Sequence, residues 1–370
     1  MAEAGLPPHD GRHSPNAPVE APSAAAPHFG YRRTMADNTQ IVLVEKPSGT
    51  LAESHFESRR SAVPTPEDGQ VLVRNVLLSL DAANRAWMQG PTYRSAVNPG
   101  DVMHGYAIGE VVESRSPDYS PGDVVAGEVG WQEYAALDAR TLQRCSDHRP
   151  LSHLHSLLGI AGKTAYHGLL NVPGLEAGET LVVSAAGGSV GSIVGQIGKI
   201  RGAQVVGIAG GPEKCAWIVD ALGFDACIDY KNEDVSAKLA EHCPGGIDVY
   251  FDNVGGRILQ SALFAMKQGG RISCCGAVSQ YDGGAPTSPV GIPGLLVVKR
   301  IRMEGFIVMD FADRDAEAER DLTAWAGDGR LVVVEDVIEG LENAPRGLIG
   351  LLAGENRGKR MIRVGPDPRA

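Results

Sequence analysis

Leu181-Val182-Val183-Ser184-Ala185-Ala186-Gly187-Gly188-Ser189-Val190-Gly191 is the stretch that decides the fold, and it runs on as Ser192-Ile193-Val194-Gly195-Gln196-Ile197. LVVSA (181–185) is a short unbroken apolar run, as expected of a strand covered on both faces. Beyond the glycines, Val190, Ile193, Val194 and Ile197 recur at helical spacing. Strand, tight glycine turn and amphipathic helix in that order begin a βαβ unit. With Ala186 in the first glycine position, then Gly188 and Gly191, the turn matches the dinucleotide fingerprint. In that reading Gly188 lets the backbone approach a pyrophosphate and Gly191 lets helix and strand pack closely. The helix N-terminus adds free N–H groups and a positive dipole end. A tight turn without a ligand is the alternative.

Working outward, the pattern repeats. VVGIA (205–209), ACIDY (226–230), DVYFDNV (248–254) and RISCCGA (271–277) are apolar runs separated by segments of helical periodicity. Such alternation predicts a parallel sheet with helices on both faces, a doubly wound α/β domain over 156–333. Upstream, IVLVEK (41–46), VLVRNVLLSL (71–80), IGEVVES (108–114) and DVVAG (123–127) are β-branched runs cut by Pro, Gly and Asp clusters. They predict a mostly antiparallel β-rich domain over 36–155. VVVEDVIEG (332–340) and KRMIRV (359–364) are expected to return to it, within 334–370. Residues 1–35 are rich in Ala and Pro and read as a disordered extension, with Met35 a candidate start. Glu3, Asp10 and Glu20 argue against a transit peptide.

The chain has 370 residues, long enough for two domains. Its net charge of -11, with no basic runs, makes nucleic acid and anionic membrane poor partners. No apolar stretch approaches the ~20 residues that span a bilayer. Six cysteines without a CxxC pair suit a reduced, cytoplasmic setting. Nor do His148, His153 and His155 have a thiolate or carboxylate set that would complete a tetrahedral metal site, so no metal is expected.

The tip of the second strand speaks to cofactor choice. NAD proteins usually place Asp or Glu there to hold the ribose 2′-hydroxyl. Here the chain reads Ile208-Ala209-Gly210-Gly211-Pro212-Glu213-Lys214. A cation in a glycine turn at a helix start suits a 2′-phosphate, so NADPH is expected over NADH. The alternatives are that Lys214 is a solvated lysine and that Glu213 only complements the helix dipole.

SAAGGSVGSIVGQIGKIRGAQVVGIAGGPEKC, GFDACIDYK, IDVYFDNVGG and ISCCGAVSQY together resemble the zinc-independent medium-chain dehydrogenase/reductases. The similarity is to the branch of leukotriene B4 12-hydroxydehydrogenase/prostaglandin reductase, 2-alkenal reductase and curcumin reductase. It implies a Rossmann domain, a GroES-like catalytic domain and a homodimer. It further implies that Gly188, Ser189, Val190 and Gly191 hold the pyrophosphate. Lys214 and Tyr230 would stand at the 2′-phosphate end. Asn253 and the stretch Cys275, Gly276, Ala277, Val278, Ser279, Gln280 and Tyr281 would line the nicotinamide. Phe306, Ile307 and Val308 would add a further contact, and Asn356 would come from the returning segment. The first domain departs from the branch, with Asp81-Ala82-Ala83-Asn84-Arg85 where many relatives have DPYMR.

Without a metal to ionise an alcohol, hydride transfer to an electron-poor carbon–carbon double bond is the chemistry expected. Small apolar enones and enals are the expected substrates. Such a reaction needs a hydrogen-bond donor at the carbonyl oxygen, where charge collects. Tyr281, just past the last core strand, is the first candidate, and a loop tyrosine packing on ribose is its alternative. Tyr106, in His104-Gly105-Tyr106, is the second, while Asp81 and Arg85 read as braces. A quinone reductase and a non-catalytic NADPH-binding protein are the competing readings.

Overall fold

The computed structural model describes residues 37–92, 94–281 and 289–370; the extension expected over 1–35 lies outside them. The chain opens with a two-stranded antiparallel ribbon of β1 (Asp37–Leu43) and β2 (Phe56–Ala62). There follow β3 (Gln70–Ser79), α1 (Ala83–Trp87), β4 (Ala107–Ser114), β5 (Val124–Gly127), β6 (Tyr134–Asp138) and β7 (Gln143–Arg144). The alternating region contains α2 (Ile160–Leu170), β8 (Thr180–Ser184), α3 (Gly191–Ile200), β9 (Gln204–Ala209), α4 (Pro212–Leu222) and β10 (Ala226–Asp229). It continues through α5 (Val235–His242), β11 (Ile247–Asp252), α6 (Gly256–Ala265), β12 (Met266–Cys274), α7 (Ile292–Lys299), β13 (Arg302–Gly305) and α8 (Asp315–Gly327). Last come β14 (Glu335–Glu339), α9 (Ala344–Leu352) and β15 (Lys359–Arg363).

β8 to β13 form one parallel sheet in the order β10-β9-β8-β11-β12-β13. The apolar runs explain it. Every residue of β8 is buried, and Val182, Val183, Val205, Val206, Val249, Tyr250 and Phe251 are sealed from solvent. A strand with no polar face must be covered twice, which the flanking helices do. Strand order reverses between β8 and β11, and a crevice opens at the carboxyl ends of strands at such a point.

A second, seven-stranded sheet runs β14-β15-β3-β4-β5-β7, with β6 also paired to β3. Its pairings are antiparallel except β14 with β15. β15 pairs with β3, Ile362 opposite Leu78, so residues nearly three hundred positions apart share a core. Buried Ile41, Val73, Leu78, Trp131, Leu348 and Ile362 belong to that core.

Candidate active site

The glycine turn between β8 and α3 is built by close approach. A Cβ on Gly191 would stand 2.3 Å from the Ala185 carbonyl oxygen, and one on Gly188 would stand 3.2 Å from the same atom. The left-handed corner falls on Ala185, with φ 49°, rather than on a glycine. That conformation costs an L-residue about 1–2 kcal/mol. Gly188 N–H donates to the Ala185 carbonyl and Ser192 N–H to that of Gly188. Among the described residues, the N–H groups of Ser189, Val190 and Gly191 donate to no backbone acceptor. Three orphan donors at the start of α3 form a ready anion site.

Residues distant in sequence line up beside this turn. Asn253 closes β11, its amide nitrogen donating to the Ser184 carbonyl at 2.7 Å and its N–H to Ser184 Oγ at 2.9 Å. Next to it, the buried Asp252 carboxyl accepts from Tyr250 Oη at 3.0 Å and from the N–H groups of Val254 and Gly255. Burial pushes that carboxyl above its ordinary range, and the two N–H groups pull the other way. The N–H groups of Cys275 and Gly276 in turn donate to the Asp252 backbone carbonyl. The ends of β8, β11 and β12 are thereby fixed together, and the stretch Cys275–Tyr281 leaves from the last of them.

Within that stretch, Ser279 Oγ donates to the Val254 carbonyl at 2.6 Å. Tyr281 follows a short turn over Val278–Gln280, and its hydroxyl oxygen accepts from the Ala277 N–H at a long 3.5 Å. Burial raises its pKa, keeping the phenol protonated. An accepted N–H leaves the O–H proton free to donate elsewhere. Tyr106 stands apart, its hydroxyl 3.5 Å from Gln143 Oε1 and its ring edge-on to His155 at 6.0 Å. Burial, with Cys145 and Glu128 nearby, pushes its pKa up to about 12. Among the described residues, no hydrogen bond or ring contact joins Tyr106 to the 275–281 stretch. Phe306 packs as core, edge-on to Phe251 at 6.3 Å, whereas Ile307 is 39% exposed.

The turn after β9 is richer than the strand tip alone suggested. Gly211, at φ 94°, turns the chain into α4, with Pro212 in the first turn. Lys214 donates to the carbonyls of Gly354 and Asn356, the latter at 2.7 Å. Its pKa is lowered by burial and then by Lys231, Arg357 and Arg360. Reading β9 alone found no carboxylate, yet Asp229 at the tip of β10 accepts from Gly211 N–H at 2.7 Å. That acid also accepts from Lys231 N–H and from Asn232 Nδ2. Burial opposes its ionisation, but these bonds hold its pKa below the usual range. Tyr230, 44% exposed, lies beside Gly210 together with the stem of Lys231.

The returning segment docks on the glycine turn. Gly358 N–H donates to the Gly187 carbonyl at 2.8 Å, and Gly188 bridges Gly358 as in a parallel sheet. Asn356, buried, donates from Nδ2 to the Gly358 carbonyl and so holds that turn. One residue on, Lys359 pairs with Asp81 at 2.6 Å and donates to the Leu80 carbonyl. Burial works against the Asp81 charge, but Lys359 and Ser79 keep its pKa low. Arg85 donates to the carbonyls of Pro47 and Gly49 and braces that loop. Lys231, Arg357 and Lys359 were not singled out from sequence. Two of them stand in GENRGK, read only for Asn356, and the third follows Tyr230 directly.

Closely approached glycines, orphan N–H donors and converging cations fit a phosphorylated dinucleotide. Among the described residues, no group of three or more His, Cys, Asp or Glu side chains could hold a metal ion. No described helix is long and apolar enough to cross a membrane.

Fold and sequence together place the chain in the medium-chain dehydrogenase/reductase family, in its zinc-independent branch. Residues 39–145 match the family described as the N-terminal domain of oxidoreductase, and residues 189–325 the one described as zinc-binding dehydrogenase. NADPH-dependent curcumin reductase of Escherichia coli is 44% identical over 338 residues, 89% of this chain and 98% of that protein. 2-Alkenal reductase (NADP(+)-dependent) of Nicotiana tabacum is 40% identical, over 88% of this chain and 97% of its own length. The crystal structure of CurA from Vibrio vulnificus in complex with NADPH superposes with a TM-score of 0.85 at 40% identity, covering 89% of this chain and all of that one.

Proposed function

We propose that this chain reduces the carbon–carbon double bond of α,β-unsaturated ketones and aldehydes with NADPH. The observation that carries the reading is the row of site residues at the carboxyl ends of β8, β11 and β12, beside orphan donors at α3. Relatives named for NADPH-dependent reduction of curcumin and of 2-alkenals support it. The nucleotide would rest its pyrophosphate on Gly188–Gly191, its 2′-phosphate near Lys214 and Tyr230, and its nicotinamide by Asn253 and Cys275–Tyr281. Phe306, Ile307, Val308 and Asn356 would border it. When bound, NADPH supplies the hydride that adds to the β-carbon of the enone.

The protein's part is to hold and polarise. Tyr281, kept protonated by burial, donates a hydrogen bond to the substrate carbonyl oxygen as negative charge gathers there. The α-carbon then takes its proton from solvent. Tyr106 shapes the opposite wall. The working division is a GroES-like domain of 36–155 with 334–370, and a Rossmann domain of 156–333. Six free thiols fit the reduced cytoplasm. A homodimer would form through the edge of β13, free among the described residues, and the exposed α7, where Val297 is 75% and Val298 73% exposed.

NADPH oxidation with an enone, an enal, a quinone and a secondary alcohol tests the reading. Turnover is expected on the first two with saturated carbonyl products. Quinone turnover alone would move the assignment to a quinone reductase, and NADPH binding without any turnover to a non-catalytic binder.

A further inference from the structure

Lys214 is the cation that sequence reading offers to the 2′-phosphate, but its ammonium is already occupied. Two of its three protons go to the carbonyls of Gly354 and Asn356. Lys214 therefore straps the returning segment to α4 and has one donor left. A phosphate with three terminal oxygens needs more than that.

The same helix face shows where the rest comes from. Lys214 and Trp217 stand three residues apart on α4 and so share a face. Just as Lys214 takes the carbonyls on either side of Glu355, Trp217 takes the next cation, with the Arg357 guanidinium 5.2 Å from its ring centroid. Among the described residues, Arg357 has no acid within ion-pair distance, and it is exposed. Across the Gly210–Gly211 turn, a Cβ added to Gly210 would stand 2.8 Å from Lys231 Cε, so that stem lies over the strand tip. Lys214 feels both charges.

We propose that Arg357, seated on Trp217, is a specificity-determining residue that grips the 2′-phosphate of NADPH, with Lys231 on the other side of the turn. A planar guanidinium can give two parallel N–H groups to one phosphate, which an ammonium cannot. The indole beneath it limits the rotamers lost on binding. NADH presents only a neutral hydroxyl there and leaves the three cations facing one another. Because Arg357 belongs to the returning segment, the phosphate also ties that segment to α4. The proposal rests on the NADPH reading above.

The test is direct binding to the full-length protein by calorimetry, with NADPH, NADH, adenosine 2′-monophosphate and adenosine 5′-monophosphate as probes. Arg357→Ala is expected to weaken NADPH and the 2′-monophosphate about 10- to 50-fold. NADH and the 5′-monophosphate should stay within about twofold. Trp217→Leu should cost the two phosphorylated probes about two- to fivefold by unseating the guanidinium. Arg357→Lys should recover part of the loss. NADPH affinity unchanged in Arg357→Ala, or an equal fall for NADPH and NADH, would overturn the proposal while leaving the cofactor reading intact. A wild-type protein with no preference for the 2′-phosphorylated probes would overturn both.

Discussion

Tyr281 and Gly191 put the account at risk at the scale of single residues. A neutral phenol that meets an oxygen gaining negative charge forms a charge-assisted bond, worth about 1.5–3 kcal/mol. Tyr281→Phe should therefore lower kcat about 10- to 100-fold while NADPH affinity stays within about twofold. Wild-type turnover in steady-state assays would remove Tyr281 from the chemistry. At Gly191 a side chain would strike the Ala185 carbonyl at 2.3 Å, a backbone atom that cannot step aside cheaply. Gly191→Val should lower thermal stability and abolish measurable NADPH binding in a fluorescence titration; retention of both would show that the turn has slack. The glycine fingerprint was legible because close backbone approach leaves a mark on residue type. The cations around the proposed 2′-phosphate site were less so. Lys214 on α4, Lys231 after β10 and Arg357 on the returning segment converge from three parts of the chain, and a reading along one strand tip cannot see them together.

Elements were legible where burial forces a pattern. The fully buried β8 and the almost fully buried β9 and β11 read as apolar runs, and their helices kept helical spacing. β13 was not legible, because a short edge strand with three exposed positions out of four has no such signature. The short turn before α2, Leu151–Leu154 with His155, carries a testable consequence. Burial holds the His155 ring at about 4, against a hydrogen bond from Nε2 to the Leu77 carbonyl. An unfolded histidine titrates near 6.5, so between these values only the unfolded chain takes the proton. The contribution is complete above pH 6.5 and is lost as pH falls, by about 2 kcal/mol at pH 5. Denaturant unfolding at pH 7.5 and pH 5 should show that loss in wild type and a smaller one in His155→Gln. His104 and His153, shifted the same way by burial, leave part of the slope. An undiminished slope in His155→Gln would contradict this account of the buried ring.

For the whole molecule, sheet order does the organising. The reversal between β8 and β11 sets the ends of β8, β11 and β12 side by side, and the pairing of β15 with β3 brings 356–359 back against the glycine turn. Neither can be read from local pattern, since periodicity says that a strand exists but not which strand lies beside it. The edge of β13, unpaired among the described residues, and the apolar face of α7 belong to this scale too. Wild type should sediment at about twice its 39.0 kDa chain mass and Val298→Glu as a monomer. A monomeric wild type would remove the dimer from the account. The most direct test of the central claim follows the hydride itself. With NADPH carrying deuterium at the transferred position of C4 and a simple enone, NMR of the product should find the label on the β-carbon of a saturated ketone. Label on the carbonyl carbon of an allylic alcohol, or no transfer at all, would contradict it.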